Sequence, residues 1–156
     1  MISARKRIGY ALGYIELGVL DAARKELAAI DATDARRPDV LLAWLELSMA
    51  GGEWEEVIRL APELIAGNPT DERPWTAWAY ALRERQRITE ARDVLLRGER
   101  LIVKPTVLVD YNLACYFALL GDLAEARRRL QRVFARDPAW RAEAADDPDL
   151  TALHPL

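Results

Sequence analysis

The sequence predicts an all-α fold, a solenoid of four helix-turn-helix pairs closed by a short C-terminal capping segment. Three observations predict it. Turn-like positions recur at a fixed period, with Gly18, Gly52, Gln86 and Gly121 standing 34, 34 and 35 residues apart. Small or slim residues recur at fixed offsets from them: Ala23, Val57, Ala91 and Ala126 five after each turn, and Ala11, Ala79 and Ala114 seven before it, where the second copy has Leu45. Large apolar residues, Tyr10, Trp44, Trp78 and Leu113, stand eight before each turn. Self-similarity at such a period is the mark of stacked supersecondary units, and it disfavours a plain helical bundle.

The stretch from Tyr111 to Pro138 shows the unit best. Leu113 to Leu120 is apolar, and Gly121 suits the left-handed conformation that ends a helix. Asp122 can cap the next helix, with Glu125 at capping-box spacing. Asp137-Pro138 closes it, because Pro disfavours helix at itself and in the residue before.

Taken in order, residues 4–17 and 20–32 form the first pair. The polar stretch Asp31–Arg37 ends at Pro38, which suits the first turn of a helix. Residues 38–51 and 54–66 form the second pair, broken by Gly51-Gly52 and closed by Gly67-Asn68-Pro69. Residues 72–85 and 88–101 form the third. Its turn, Gln86-Arg87, lacks glycine, and Thr89 offers a weaker cap. Val103-Lys104-Pro105 holds the inserted residue that lengthens the last step, and 106–119 and 122–136 form the fourth pair. The repeats span about 4–37, 38–71, 72–106 and 107–140, giving a repeat domain over 4–138 and a tail over 139–156. In the tail, Ala139–Ala145 can make one or two helical turns before Asp146-Asp147-Pro148 breaks them. Trp140, Leu150 and Leu153 read as the apolar cover that a stack of repeats needs at its end.

Composition narrows the function classes. At 156 residues, 51% hydrophobic and 30% charged, the chain is long enough to bury a sizeable core. Its net charge of −3 implies no attraction to nucleic acid or to an acidic membrane. Cys115 is the only cysteine, so no intrachain disulfide is available. Arg5-Lys6-Arg7 before an apolar run imitates a secretory leader, but Glu16 interrupts the run and the segment keeps the repeat period. No uncharged run approaches the ~18 residues of a membrane span.

The pattern resembles the tetratricopeptide repeat (TPR), whose unit is a 34-residue helix-turn-helix. The third copy carries it best, in Trp75, Trp78-Ala79, Leu82, Ala91 and Leu95. The fourth carries Leu113-Ala114, Phe117, Gly121, Ala126, Leu130 and Pro138. The second has Leu41, Gly52 and Pro69 but Leu45 and Val57 at the small positions. In the first, Arg7 and Ala35 depart from the pattern while Tyr14, Gly18 and Ala23 fit. The ending, a short helix followed by Asp-Pro-Asp-Leu, looks like that of bacterial, cytoplasmic members.

What the resemblance implies is non-catalytic binding of another protein or an extended peptide in a concave groove lined by the first helix of each repeat. Family geometry turns inward the residues ten, six and three before each turn. These are Ile8, Leu12 and Ile15, then Leu42, Glu46 and Met49, then Thr76, Tyr80 and Arg83, then Tyr111, Cys115 and Ala118, with Asn112 a further polar candidate. The alternative is that these residues only pack between repeats. The carboxylate clamp of chaperone-binding members is not reproduced: one register gives Ile8, Leu12, Ala43, Arg73 and Ala77, the other Leu42, Glu46, Ala77, Leu108 and Asn112. Other functions the class allows are a secretion or assembly chaperone and a self-assembling module, so a homo-oligomer is possible.

No chemistry-bearing constellation competes. His154, the only histidine, sits beside Pro155 near the end of the chain, with nothing to orient it for catalysis or zinc. No catalytic residue, metal or cofactor is expected. Asp146, Asp147 and Asp149 lack the EF-hand spacing and read as a solvated acidic turn. Arg127-Arg128-Arg129 with Arg132 and Arg136 reads as a solvated helix face, given Glu125 at i,i+4 to Arg129. Gly9 and Gly13 share a GxxxG spacing that is explained by packing or tolerance rather than by a membrane.

Overall fold

The computed structural model describes residues 2–155. They form nine α-helices and a terminal 3-10 helix, with no strand among the described residues. The helices are α1 (Ala4–Glu16), α2 (Leu20–Ala28), α3 (Pro38–Ala50), α4 (Trp54–Gly67), α5 (Glu72–Glu84), α6 (Ile88–Glu99), α7 (Val107–Leu119), α8 (Leu123–Arg136) and α9 (Trp140–Asp146), and the 3-10 helix is Pro148–Leu153. No helix among the described residues is long and apolar enough to cross a membrane.

Each of the first four helix pairs is set by its turn. Gly18, Gly52, Gln86 and Gly121 all take positive φ, at 72°, 66°, 60° and 84°. The two hydrogen bonds around each are the same. In the first, Gly18 N–H donates to Ile15 C=O (2.9 Å) and Val19 N–H to Tyr14 C=O (2.8 Å). The last repeats this as Gly121 to Ala118 (3.0 Å) and Asp122 to Phe117 (2.9 Å). This is the Schellman closure, which satisfies carbonyls at the end of one helix and aims the chain into the next. Gln86 carries a side chain in the same conformation, with its N–H on Arg83 and that of Arg87 on Leu82.

The residues at fixed offsets meet inside each pair. Ala23, Val57, Ala91 and Ala126 are fully buried, as are Ala11, Ala79 and Ala114, with Leu45 nearly so. The position eight before the turn is less uniform: Leu113 is buried, Trp44 and Trp78 half-buried, and Tyr10 exposed.

The chain divides into two compact units, one running to Pro69 and the other beginning at Thr70. In the first, α1 packs on α2 and α3, and α3 packs on α2 and α4. Its core joins Ala11, Ala23, Leu27, Ile30, Val40, Ala43 and Leu47. Here α2 stops at Ala28, four residues short of the expected end. Ile30 N–H turns back to Leu27 C=O, and the Ile30 side chain tucks into that core instead of prolonging the helix. In the second unit, α7 packs on α5, α6, α8 and the 3-10 helix, while α8 also touches α9. Gly98 lies so close to Trp75 that an added Cβ would fall 2.8 Å from the indole ring. Asp122 caps α8 by accepting from Glu125 N–H (3.1 Å). Thr89 does not cap α6, because the helix begins at Ile88 and Thr89 already lies inside it.

The basic run on α8 corrects one expectation. Arg129 is only 4% exposed, not solvated. Its guanidinium bonds Glu99 of α6 (2.9 and 3.2 Å), Asp110 of α7 (2.9 Å) and Glu125 of α8 (2.8 Å), and it lies over the Phe117 ring. Arg132 adds a second bond to Asp110. Burial works against the Arg129 charge, yet its pKa rises above the ordinary arginine value because the carboxylates more than offset that cost. Arg128 keeps to the solvent side, bonded to Glu125.

Two stability measurements check these interactions. Gln86→Gly removes a side chain from a left-handed position and should raise the unfolding free energy in urea by about 1 kcal/mol. Arg129→Ala leaves Glu99 and Asp110 with only the more exposed Arg132 and should lower it by about 3 kcal/mol, whereas Arg128→Ala, at an exposed pair, should change it by less than about 1 kcal/mol.

Candidate functional site

In the second unit, α5, α7 and the C-terminal segment enclose a cleft of about 620 Å³. The segment is held there by polar contacts from side chains of α5 and α7. Arg83 of α5 forks onto Asp149, with Nε 2.8 Å from Oδ2 and Nη2 on Oδ1, and sends Nη1 to Glu84 (2.6 Å). Tyr111 of α7 donates its hydroxyl to Asp147 (2.7 Å), and the Cys115 thiol lies 3.6 Å from the same oxygen. Asp147 in turn accepts from Asp149 N–H (2.9 Å), which caps the 3-10 helix. Leu150 and Leu153 are fully buried, and Arg127 donates to Leu153 C=O (3.0 Å). Trp140 packs its ring against Tyr111 at 4.7 Å between centroids. Asp147 and Asp149 are therefore half-buried members of a clasp rather than parts of a solvated turn.

Burial sets the electrostatics. It raises the Cys115 thiol pKa, with Asp147 and Asp149 adding to the effect, so the thiol stays protonated and unreactive. Burial and the bond to Asp147 raise Tyr111 likewise. The Arg83 pKa is raised by its bonds to Asp149. Tyr116, a residue of the cleft lining, is 2% exposed, and its hydroxyl has no hydrogen-bond partner among the described residues.

Cys115, Asp147 and Asp149 offer three ligand atoms within 4.8 Å of one another. The donor set does not fit a cation. Arg83 already neutralises Asp149, and Tyr111 and the Asp149 N–H occupy Asp147.

Five of the residues expected from sequence line this one cleft: Tyr80, Arg83, Tyr111, Asn112 and Cys115. Tyr80 is 40% exposed and Asn112 half-buried, while Tyr111 and Cys115 are buried under the C-terminal segment. Thr76 lies elsewhere, buried, its hydroxyl donating to the carbonyls of Glu72 and Arg73, and it lines a second depression of about 630 Å³ with Ile102, Val103 and Thr106. Leu12, Leu42, Glu46 and Met49 belong to the first unit, half-buried on α1 and α3, with Leu12 packed against its core.

No protein-family model matches the chain, and no curated protein matches it.

Sequence reasoning had not assigned Tyr116, Glu143 and the acidic pair Asp147 and Asp149 to the site. The available signal was Arg83, a cation at a position expected to face inward, together with aspartates placed beside two leucines.

Thiol labelling tests the clasp. Cys115 in the folded chain should react with a maleimide at least ~10-fold more slowly than in the urea-unfolded chain. Leu150→Ala should cost about 2–5 kcal/mol of stability and speed the labelling of the folded protein. Equal rates in the folded and unfolded chain would mean that the segment does not cover α7.

Proposed function

We propose that this chain is a non-catalytic protein-binding module of the solenoid-forming tetratricopeptide kind, which holds an extended peptide segment of another protein. What carries the proposal is the cleft beside α5 and α7, where four residues of the groove-facing pattern converge with the further candidate Asn112. The four left-handed turns at the repeat period, each with the same closing bonds, support the repeat class. Tyr80 and Trp140 supply aromatic surface at low entropic cost, which suits interface anchors. A cleft of this volume is of the size that binds a few side chains of a ligand. Catalysis has no candidate in it, because the one thiol is buried and protonated and its aspartates are committed to the clasp.

Selection of a displayed random-peptide library on the full chain tests the proposal. Tyr80→Ala should weaken the selected peptides by at least ~10-fold while the fold stays intact. Arg128→Ala, on the exposed face of α8, should leave them unchanged. Peptides indifferent to Tyr80 would place binding on another surface.

A further inference from the structure

The chemistry of the cleft is one-sided. Among the described residues, four carboxylates, those of Glu143, Asp146, Asp147 and Asp149, line it against the single guanidinium of Arg83. That guanidinium is not available to a ligand anion, since its donors are directed to Asp149 and Glu84. Glu143 and Asp146 stand exposed on the rim, and Glu143 is close enough to Tyr111 to act on its ionisation. The walls are partly aromatic, with the Trp140 ring tilted against that of Tyr111 and Tyr80 also in the lining.

A separate observation points to a ligand. Tyr116 is a lining residue of the cleft, and its hydroxyl is shielded from solvent with no hydrogen-bond partner among the described residues. A buried hydroxyl without a hydrogen bond is unfavourable, and its oxygen can accept from a donor. Its neighbours in the electrostatic sense are Cys115, Arg83, Asp149 and Tyr80, so it belongs to the same corner as the clasp.

We infer that the cleft binds a cationic side chain, arginine or lysine, carried on an extended segment of a partner protein, an inference that rests on the peptide-binding function proposed above. The positive head meets the carboxylates of Glu143 and Asp146 and donates to the Tyr116 oxygen. Its aliphatic stem lies along the rings of Tyr80 and Trp140, which also attract a cation through their faces. Other ligand chemistries fit less well. An acidic segment would set charge against the rim carboxylates, with Arg83 already held. A purely apolar one would desolvate those carboxylates and leave the Tyr116 hydroxyl unpartnered.

The peptides selected on the full chain supply the probes, with affinities read by fluorescence polarisation. The selected set should share an arginine or lysine. Replacing that arginine with citrulline, or the lysine with norleucine, should weaken binding at least ~10-fold. The double change Glu143→Gln with Asp146→Asn alters only exposed side chains and should have a similar effect, with the circular dichroism spectrum unchanged. Tyr116→Phe should weaken binding of the same peptides a few-fold while leaving citrulline peptides unaffected. Peptides that depend on Tyr80 but carry no cation would overturn the cationic ligand and leave the peptide-binding function standing. Absence of any Tyr80-dependent peptide would overturn both. Cation-dependent binding that survives the double change would put the cation on another surface and overturn the inference. So would concentration-dependent self-association abolished by Glu143→Arg, which would make the occupant a second copy of the chain.

Discussion

A left-handed residue at the end of a helix decides most of this fold. At Gly18, Gly52, Gln86 and Gly121 the backbone reverses through the same two hydrogen bonds, so the exit direction is nearly fixed. Once it is fixed, two positions must meet across each pair: the residue seven before the turn and the residue five after it. Both are buried in all four pairs, and seven of the eight are small or β-branched. The conformational constraint and the side-chain volumes are thus one requirement seen from two sides. A bulky side chain at Ala23 or Ala126 would force the helices apart, and a turn in another conformation would turn those positions away from each other.

Where helices carry charge inward, pairing comes with it. Arg129 gathers carboxylates from three helices, and Arg83 does the same on a smaller scale with Asp149 and Glu84. Neither arrangement is best understood as a large source of stability, because desolvation offsets much of the attraction. Their physical consequence is specificity of arrangement. An α8 rotated by a few residues would bury a guanidinium without partners, and a C-terminal segment shifted along α7 would part Asp149 from Arg83. The leucines 150 and 153 contribute the apolar burial, while the aspartates fix the register in which they are buried.

Local periodicity made much of this legible in the sequence. The starts of α1 to α8 fall within a residue of those expected from turn spacing, and the Asp122 cap follows from a three-residue offset. The ends of α2 and the capping of α6 were less legible, since no glycine or proline marks the first and the backbone of Arg87 displaces Thr89 in the second. Contacts between distant residues left no periodic trace. The Glu125–Arg129 pair is visible as an i,i+4 spacing, but Glu99 and Asp110 reach Arg129 only through tertiary packing, and so the buried state of Arg129 was hidden. Gly98 looks like an unexplained weak point in a helix until Trp75 is seen against it. Tyr80, Arg83, Tyr111 and Cys115 could be singled out from the resemblance to a repeat family and the turn spacing, whereas the clasp joins Arg83 to Asp149 across 66 residues of sequence.

The origin of the cleft's charge follows from that division of labour. The helices α5 and α7 contribute Tyr80, Arg83, Tyr111, Asn112 and Cys115, a set that is neutral apart from one cation. Among the described residues, every carboxylate of the lining comes from the C-terminal segment, which also occupies that cation. The repeat period fixes where the walls stand, and a short non-repeating stretch fixes their electrostatic sign. Sequence change in Glu143 and Asp146, both exposed and outside the helix pairs, can therefore alter what the cleft attracts without disturbing the turns and small residues on which the fold depends.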